Sequence, residues 1–299
     1  MMELLQKDMT DRNLGMRPHI CRICGAQGEF ASYLAREMMQ NTRDEFEYFV
    51  CGSCECLQIA EVPENLGNYY GENYYSFSLK EQADYQYEEP VTCTYKILDV
   101  GCGSGAFLFA QARSGCGNLF GCDPFLDHDI QYGDRVHIRK CSIHEMDGDG
   151  TFDGIRMGDS FEHMTDPLDV LASARRLLAP DGKLWMSIPT YPNAAMEMFG
   201  SHWYQLDAPR HIFLHSLKSL EYLGQKSGMK MTEVVYDSNN SQFLRSFFYE
   251  RGVPFHEITA DLIRQYFTNI DILKMDQAAK DLNKKGYGDH MHVTWMKDD

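Results

Sequence analysis

The run Leu98-Asp-Val-Gly-Cys-Gly-Ser-Gly-Ala-Phe-Leu108 constrains this 299-residue chain more than any other stretch. Tyr95–Val100 reads as a buried strand and Ala106–Arg113 as the helix that follows it. Glycines 101, 103 and 105 fill the turn between them, which lets the backbone approach a ligand more closely than any Cβ permits. The same rhythm continues downstream. Strands are expected at Asn118–Cys122, Arg135–Arg139, Phe152–Met157, Lys183–Ile188, Met231–Tyr236 and His290–Met296. Helices are expected at Pro167–Leu178 and Leu217–Ser227, and Ala179-Pro-Asp-Gly182 as a turn. Strands alternating with helices predict an α/β fold, a doubly wound, mainly parallel sheet of seven strands covered on both faces. Between the last two strands, Phe243–Tyr249 and Ala260–Lys285 have helical patterns, more chain than a plain connection needs.

The glycine spacing narrows the ligand. One residue, not two, separates Gly103 from Gly105, so the loop departs from the dinucleotide fingerprint. Asp123 ends the second strand eighteen residues past Gly105, where a carboxylate can accept both hydroxyls of a ribose. Together these point to an adenosyl group, with no pyrophosphate required.

Ten cysteines need a separate explanation. Four of them form two knuckles, Cys21-Arg-Ile-Cys24 and Cys51-Gly-Ser-Cys54. Each spacing turns two thiolates toward one metal, and two pairs close a tetrahedral Zn2+ site with no open position. Glu45–Val50 alternates and runs into the second knuckle as a ribbon strand would. Four free or redox cysteines are the competing reading, and Cys56 is a possible substitute ligand. A ribbon this small has little core and draws folding energy from its metal, so the zinc is expected to be structural. Cys93, Cys102, Cys116, Cys122 and Cys141 share no metal spacing and read as core or near-core residues.

Charge and hydropathy bound the partners. The chain carries 44 acidic against 28 basic residues, a formal charge of −16, the wrong sign for a phosphate backbone. No stretch approaches the roughly 18 consecutive apolar residues of a bilayer span. The first residues lack the basic and apolar blocks of a signal peptide, so a cytoplasmic protein is expected.

At the glycine loop the sequence resembles the class I S-adenosylmethionine-dependent methyltransferases. Leu98–Gly105 is similar to their first motif and Gly121-Cys-Asp-Pro124 to their second. The resemblance continues through Phe152-Asp-Gly-Ile, Phe161–Pro167 and Leu177–Pro189, covering roughly residues 95–236. Asp181 departs from it, standing where the family usually has a second glycine. The resemblance implies S-adenosyl-L-methionine as cofactor. Gly101 and Gly103 would then meet its methionine part, with Gly105 completing the loop, and Asp123 its ribose. Ile143, in Ser142-Ile-His-Glu145, would flank the adenine, and Asp99 would help hold the loop and the ammonium end. A zinc ribbon ahead of such a domain is also similar in part to sugar C-methyltransferases, whose further C-terminal domain this chain is too short to hold.

Methyl transfer needs an aligned nucleophile and often a base to take its proton. His163 lies just past the fourth strand, at the open edge of the sheet, with Glu162 beside it to orient the ring; a turn cap is the competing role. Ser201–His215 packs Trp203, Tyr204, Asp207, Arg210 and three histidines into fifteen residues, the content of a pocket lining. Tyr204 and His211 are candidates for base or substrate hydrogen bonding. Arg210 could hold a substrate anion or pair with Asp207. His202 and His215 are expected to be structural, and nothing in the pattern of His290 and His292 suggests a metal.

These readings divide the chain into an extension (1–16), a zinc ribbon (17–62), a tyrosine-rich linker or lid (63–94) and a methyltransferase domain (95–299) with a helical insertion at about 241–287. The expected function is methylation of a small-molecule acceptor at oxygen or carbon: a sugar, nucleotide sugar or natural-product intermediate. RNA methylation with the ribbon as reader is an alternative, but residues 1–95 carry 7 basic against 16 acidic groups. A non-catalytic cofactor-binding protein is the other.

Overall fold

The computed structural model describes residues 13–70 and 79–298. Residues 1–12 of the expected extension, and Gly71–Ser78 of the tyrosine-rich stretch, lie outside them. In chain order the strands are β1 Asn13–Ile20, β2 Gln27–Arg36, β3 Glu45–Val50, β4 Leu57–Ile59 and β5 Cys93–Val100. After α1 Ala106–Arg113 come β6 Cys116–Cys122, β7 Ile130–Tyr132, β8 Val136–Arg139 and β9 Phe152–Gly158. Then follow α2 Pro167–Leu177, β10 Leu178–Pro189, α3 Ala194–Phe199, β11 Phe213–Leu214, α4 Leu217–Ser227 and β12 Met229–Tyr236. The chain closes with α5 Ser241–Glu250, α6 Ala260–Tyr266, α7 Asn269–Lys284 and β13 His290–Lys297.

Contacts gather the chain into two compact units. One comprises Met1–Tyr69, Ile188–Tyr222 and Val235–His292; the other comprises Tyr70–Ser187, Leu223–Val234 and Val293–Asp299.

The first unit is built on a five-stranded sheet, β1-β2-β3-β4-β11. Its pairs are antiparallel, and β11 joins through Phe213 opposite Gln58 and Leu214 opposite Leu57. The knuckle segment therefore shares its sheet with residues more than 150 positions downstream. Tyr48 Oη donates to the His211 carbonyl at 2.8 Å, and the Phe255 amide to the Met38 carbonyl at 3.0 Å. The helical stretch expected as an insertion thus clusters with the ribbon.

The eight-stranded sheet has the order β12-β13-β10-β9-β5-β6-β8-β7. The pairs β10–β9, β9–β5, β5–β6 and β6–β8 are parallel; α1 connects β5 to β6 and α2 connects β9 to β10, while β6 reaches β8 through loops and β7. All seven expected strands are present. The eighth, β7, is a three-residue strand antiparallel to β8. The expected count of seven is corrected accordingly, because three residues are too few to display a period in sequence. The expected turn at 179–182 is a register shift inside β10.

From β5 the chain steps to β6 and β8 on one side, then crosses to β9 on the other. That reversal is the switch point where an open parallel sheet presents a crevice. Leu108 and Ala112 of α1 pack with Leu119, Val136, Ile138 and Tyr132 to form the core on this side. The tyrosine-rich segment joins it: Tyr85 stacks edge-on to Phe109, and Tyr87 Oη donates to the Tyr132 carbonyl at 2.6 Å.

Candidate active site and metal site

The glycine loop occupies the switch point of the second unit. Gly101, Gly103 and Gly105 have φ of 70°, 52° and 82°, a region that side chains with a Cβ rarely adopt. Space excludes a Cβ as well. At Gly101 it would stand 2.6 Å from the Ser160 Cβ, and at Gly105 it would overlap Ile138 Cδ1. Ser160 Oγ donates to the Val100 carbonyl at 2.8 Å, tying the end of β9 to the end of β5.

Asp123 closes this loop from the β6 side. Its Oδ2 accepts the Gly103 amide and its Oδ1 the Phe125 amide, both at 2.9 Å. Each carboxylate oxygen keeps a further lone pair for another donor. Burial pushes the Asp123 carboxyl up, against the pull of those two amides. Ile143 is buried in a single 3-10 turn whose start is fixed by Ser142 and Glu145 in a capping box.

Asp99 faces a partner the sequence did not single out. Asp99 and Arg156 are in register on β5 and β9, and Arg156 Nη1 donates to Asp99 Oδ1 at 2.8 Å. The guanidinium also lies 4.2 Å from the centroid of Phe107, and Gly158 supplies the room for it. Burial pushes the Asp99 carboxyl up to about 6, with the Arg156 charge opposing. A cation inside a strand with no other basic residue was the signal available in sequence.

His163 sits in a 3-10 turn immediately after β9. Tyr70 Oη lies 3.1 Å from His163 Nδ1, and the Tyr70 ring stacks on Phe125 at 5.8 Å. The second unit thus gathers the glycine loop, Asp99, Asp123, Ile143 and His163 around the exits of its central strands, with Tyr70 as an addition. No local pattern singled out Tyr70 among its neighbouring tyrosines.

A family model described as a methyltransferase domain matches residues 76–234, more than half of the chain. This chain belongs to the methyltransferase-domain family. The ubiquinone biosynthesis O-methyltransferase of Haemophilus ducreyi is 33% identical to this chain over 105 residues, covering 31% of the chain and 44% of the relative. The enzyme of the same name from Pseudomonas aeruginosa is 32% identical over 101 residues, covering 31% and 43%. The chain therefore spans less than half the length of these relatives. The solved geranyl diphosphate C-methyltransferase of Streptomyces coelicolor A3(2) aligns with a TM-score of 0.44 at 12% identity, covering 70% of this chain and 72% of that one.

The first unit carries the histidine-rich cluster. His211 Nδ1–H donates to the Gln205 carbonyl at 2.7 Å, which makes Nε2 the acceptor nitrogen of the neutral ring. The Tyr204 amide donates to Ser246 Oγ at 3.1 Å, and Arg245 lies over the Tyr204 ring. Trp203 Nε1 donates to Asp289 at 2.9 Å.

Arg210 is fully buried, and the expectation that it could hold a substrate anion is corrected. Its guanidinium donates to both Asp207 oxygens, to Glu37 Oε1 at 2.9 Å and to the Tyr69 carbonyl at 3.0 Å. Burial works against its charge, and Asp207 and Glu37 outweigh burial, so the net shift is upward. The Glu37 oxygens also accept the Gln40 and Thr42 amides. His215 is buried with Nδ1 3.1 Å from Ser219 Oγ, and burial pulls its pKa down to about 3.

The four knuckle cysteines converge as the spacing implied. Cys21 Sγ lies 3.6 Å from Cys54 Sγ, and Cys24 Sγ 3.6 Å from Cys51 Sγ. Sulfurs bound to one zinc at about 2.3 Å stand about 3.8 Å apart in a tetrahedron, so the set fits that ion. Gly25 and Glu55 occupy equivalent places after the two knuckles, with φ of 73° and 60°. Cys56 is not part of the cluster. It is fully buried, and its thiol faces the Leu57 and Leu214 carbonyls.

Among the described residues no helix is long and apolar enough to cross a membrane, and no disulfide is formed.

Proposed function

We propose that this methyltransferase transfers a methyl group from S-adenosylmethionine to oxygen or carbon of a small-molecule acceptor: a sugar, nucleotide sugar or natural-product intermediate. The observation that carries the reading is the Asp123-braced, left-handed glycine loop at the switch point. The cofactor, when bound, supplies an electrophilic methyl group on a sulfonium. Gly101, Gly103 and Gly105 give its methionine portion backbone approach, Asp123 takes the ribose hydroxyls, and Ile143 covers the adenine. Asp99 acts one step back, holding the loop through the end of β5.

His163 takes the acceptor's proton. Its Nδ1 lies 3.1 Å from Tyr70 Oη, a contact that orients the ring, and an imidazole is suited to that proton transfer near neutral pH. Cys21, Cys24, Cys51 and Cys54 hold a structural zinc. The −16 charge favours a small acceptor over RNA.

The test is S-adenosylhomocysteine release with S-adenosylmethionine, a panel of hydroxylated acceptors including nucleotide sugars, and an RNA pool. Turnover on a small acceptor, lost in His163→Ala while calorimetric cofactor affinity is kept, is the expected result. Absence of cofactor binding, or turnover with RNA alone, overturns it.

A further inference from the structure

His290 and His292 alternate on β13, so both rings leave the same face of the strand. Asp237 is the first residue beyond β12, the neighbour of β13 in the sheet. His290 Nδ1 lies 2.6 Å from Asp237 Oδ1, and His292 Nε2 lies 2.7 Å from Asp237 Oδ2. The nearer histidine uses its near nitrogen and the farther one its far nitrogen. Two side chains two residues apart thereby converge on one carboxylate. One donor atom from each of the three residues lies within 4.8 Å of the other two.

From this geometry we infer a second metal site, in which Asp237, His290 and His292 bind one divalent transition ion of the zinc, cobalt or nickel class. Two imidazoles and a carboxylate select such an ion over Ca2+ or Mg2+, which favour oxygen ligands alone. Binding replaces the protons that the two rings share with Asp237. It opens the N···O separations by about 0.7 Å, to the roughly 3.4 Å between tetrahedral ligands at about 2.1 Å from one ion.

The frame is rigid where the ligands leave it. The Asp237 amide donates to the His290 carbonyl at 3.2 Å, and the His290 amide to Ser238 Oγ at 3.0 Å. Asn283 holds the Ser238 carbonyl at 2.8 Å. The opposite side is open: the His292 and Asp237 side chains are 55% and 42% exposed. Three protein ligands with an open side leave water in the remaining positions, unlike the closed cysteine set. The bound ion would fasten the segment leaving β12 toward α5 to the start of β13.

The experiment is a Co2+ titration of the full chain with its cysteine site already filled by zinc. One further equivalent is expected, with visible ligand-field absorption and no thiolate charge-transfer band. His292→Ala and Asp237→Asn are expected to weaken it by about tenfold or more, the least that loss of a direct ligand costs. His128→Ala, an exposed histidine elsewhere, should leave it unchanged. Histidine-ring NMR of the wild type with Zn2+ should show His290 Nδ1 and His292 Nε2 shifting together. No additional equivalent, equal affinity in both ligand variants, or unshifted rings overturns the inference.

Discussion

The Asp123 carboxylate accepts the Gly103 amide at 2.9 Å, so the residue proposed to hold the ribose already fixes the loop proposed to hold the methionine. One side chain at the end of β6 thus couples the two halves of the cofactor site. Asp123→Ala removes the ribose acceptor and the loop brace together. Two charge-assisted hydrogen bonds at about 1.5 kcal/mol each predict roughly a hundredfold loss of S-adenosylmethionine affinity. Calorimetry measures it, and unchanged affinity would remove Asp123 from the site.

Chelation should act on the first unit. A structural zinc contributes on the order of 10 kcal/mol of folding free energy in small ribbons. At least one zinc per chain is expected by elemental analysis, and one fewer in Cys24→Ser. Its removal, or Cys24→Ser, should lower the melting temperature. A chain that melts identically with and without chelator would speak for free thiols instead.

Arg210→Met leaves Glu37 and Asp207 buried without their cation. Breaking a buried pair in this way costs about 3–5 kcal/mol, so the variant should unfold at markedly lower urea. A loss under about 1 kcal/mol would show that the acids find protons or water readily.

Asp99 gives a pH dependence of defined sign. Its carboxyl titrates at about 6 in the fold against 3.8 in the ordinary state. Its contribution to stability is therefore fully present below about pH 4 and is lost as pH rises through about 6. The loss amounts to about 3 kcal/mol. Wild type should lose this much relative to Asp99→Asn between the two limits, read from urea midpoints at each pH. Arg156→Gln removes the opposing charge and should move the carboxyl higher still. Parallel curves for wild type and Asp99→Asn would contradict the assignment.

The strands at 95–100, 118–122 and 152–157 were legible as short apolar-rich runs and that at 135–139 as an alternating one, all properties of neighbouring residues. The cysteine knuckles were legible for the same reason, since two intervening residues define the turn. Strand β7 was not, being too short to show alternation. The role of Arg210 was half legible. Asp207 stands three residues away and was weighed as its partner, while Glu37, 173 positions upstream, was beyond any local pattern.

Sequence by itself determined the alternating α/β order, the left-handed glycine turn and the two thiolate pairs, because backbone sterics and ligand spacing act over a few residues. Only the tertiary structure decided that Arg210 is buried, that Asp99 faces Arg156 across two strands, and that His290 and His292 meet Asp237 from 53 and 55 residues away. Those pairings depend on which strands become neighbours, and strand neighbourhood is set by packing of the whole core rather than by the residues that finally touch.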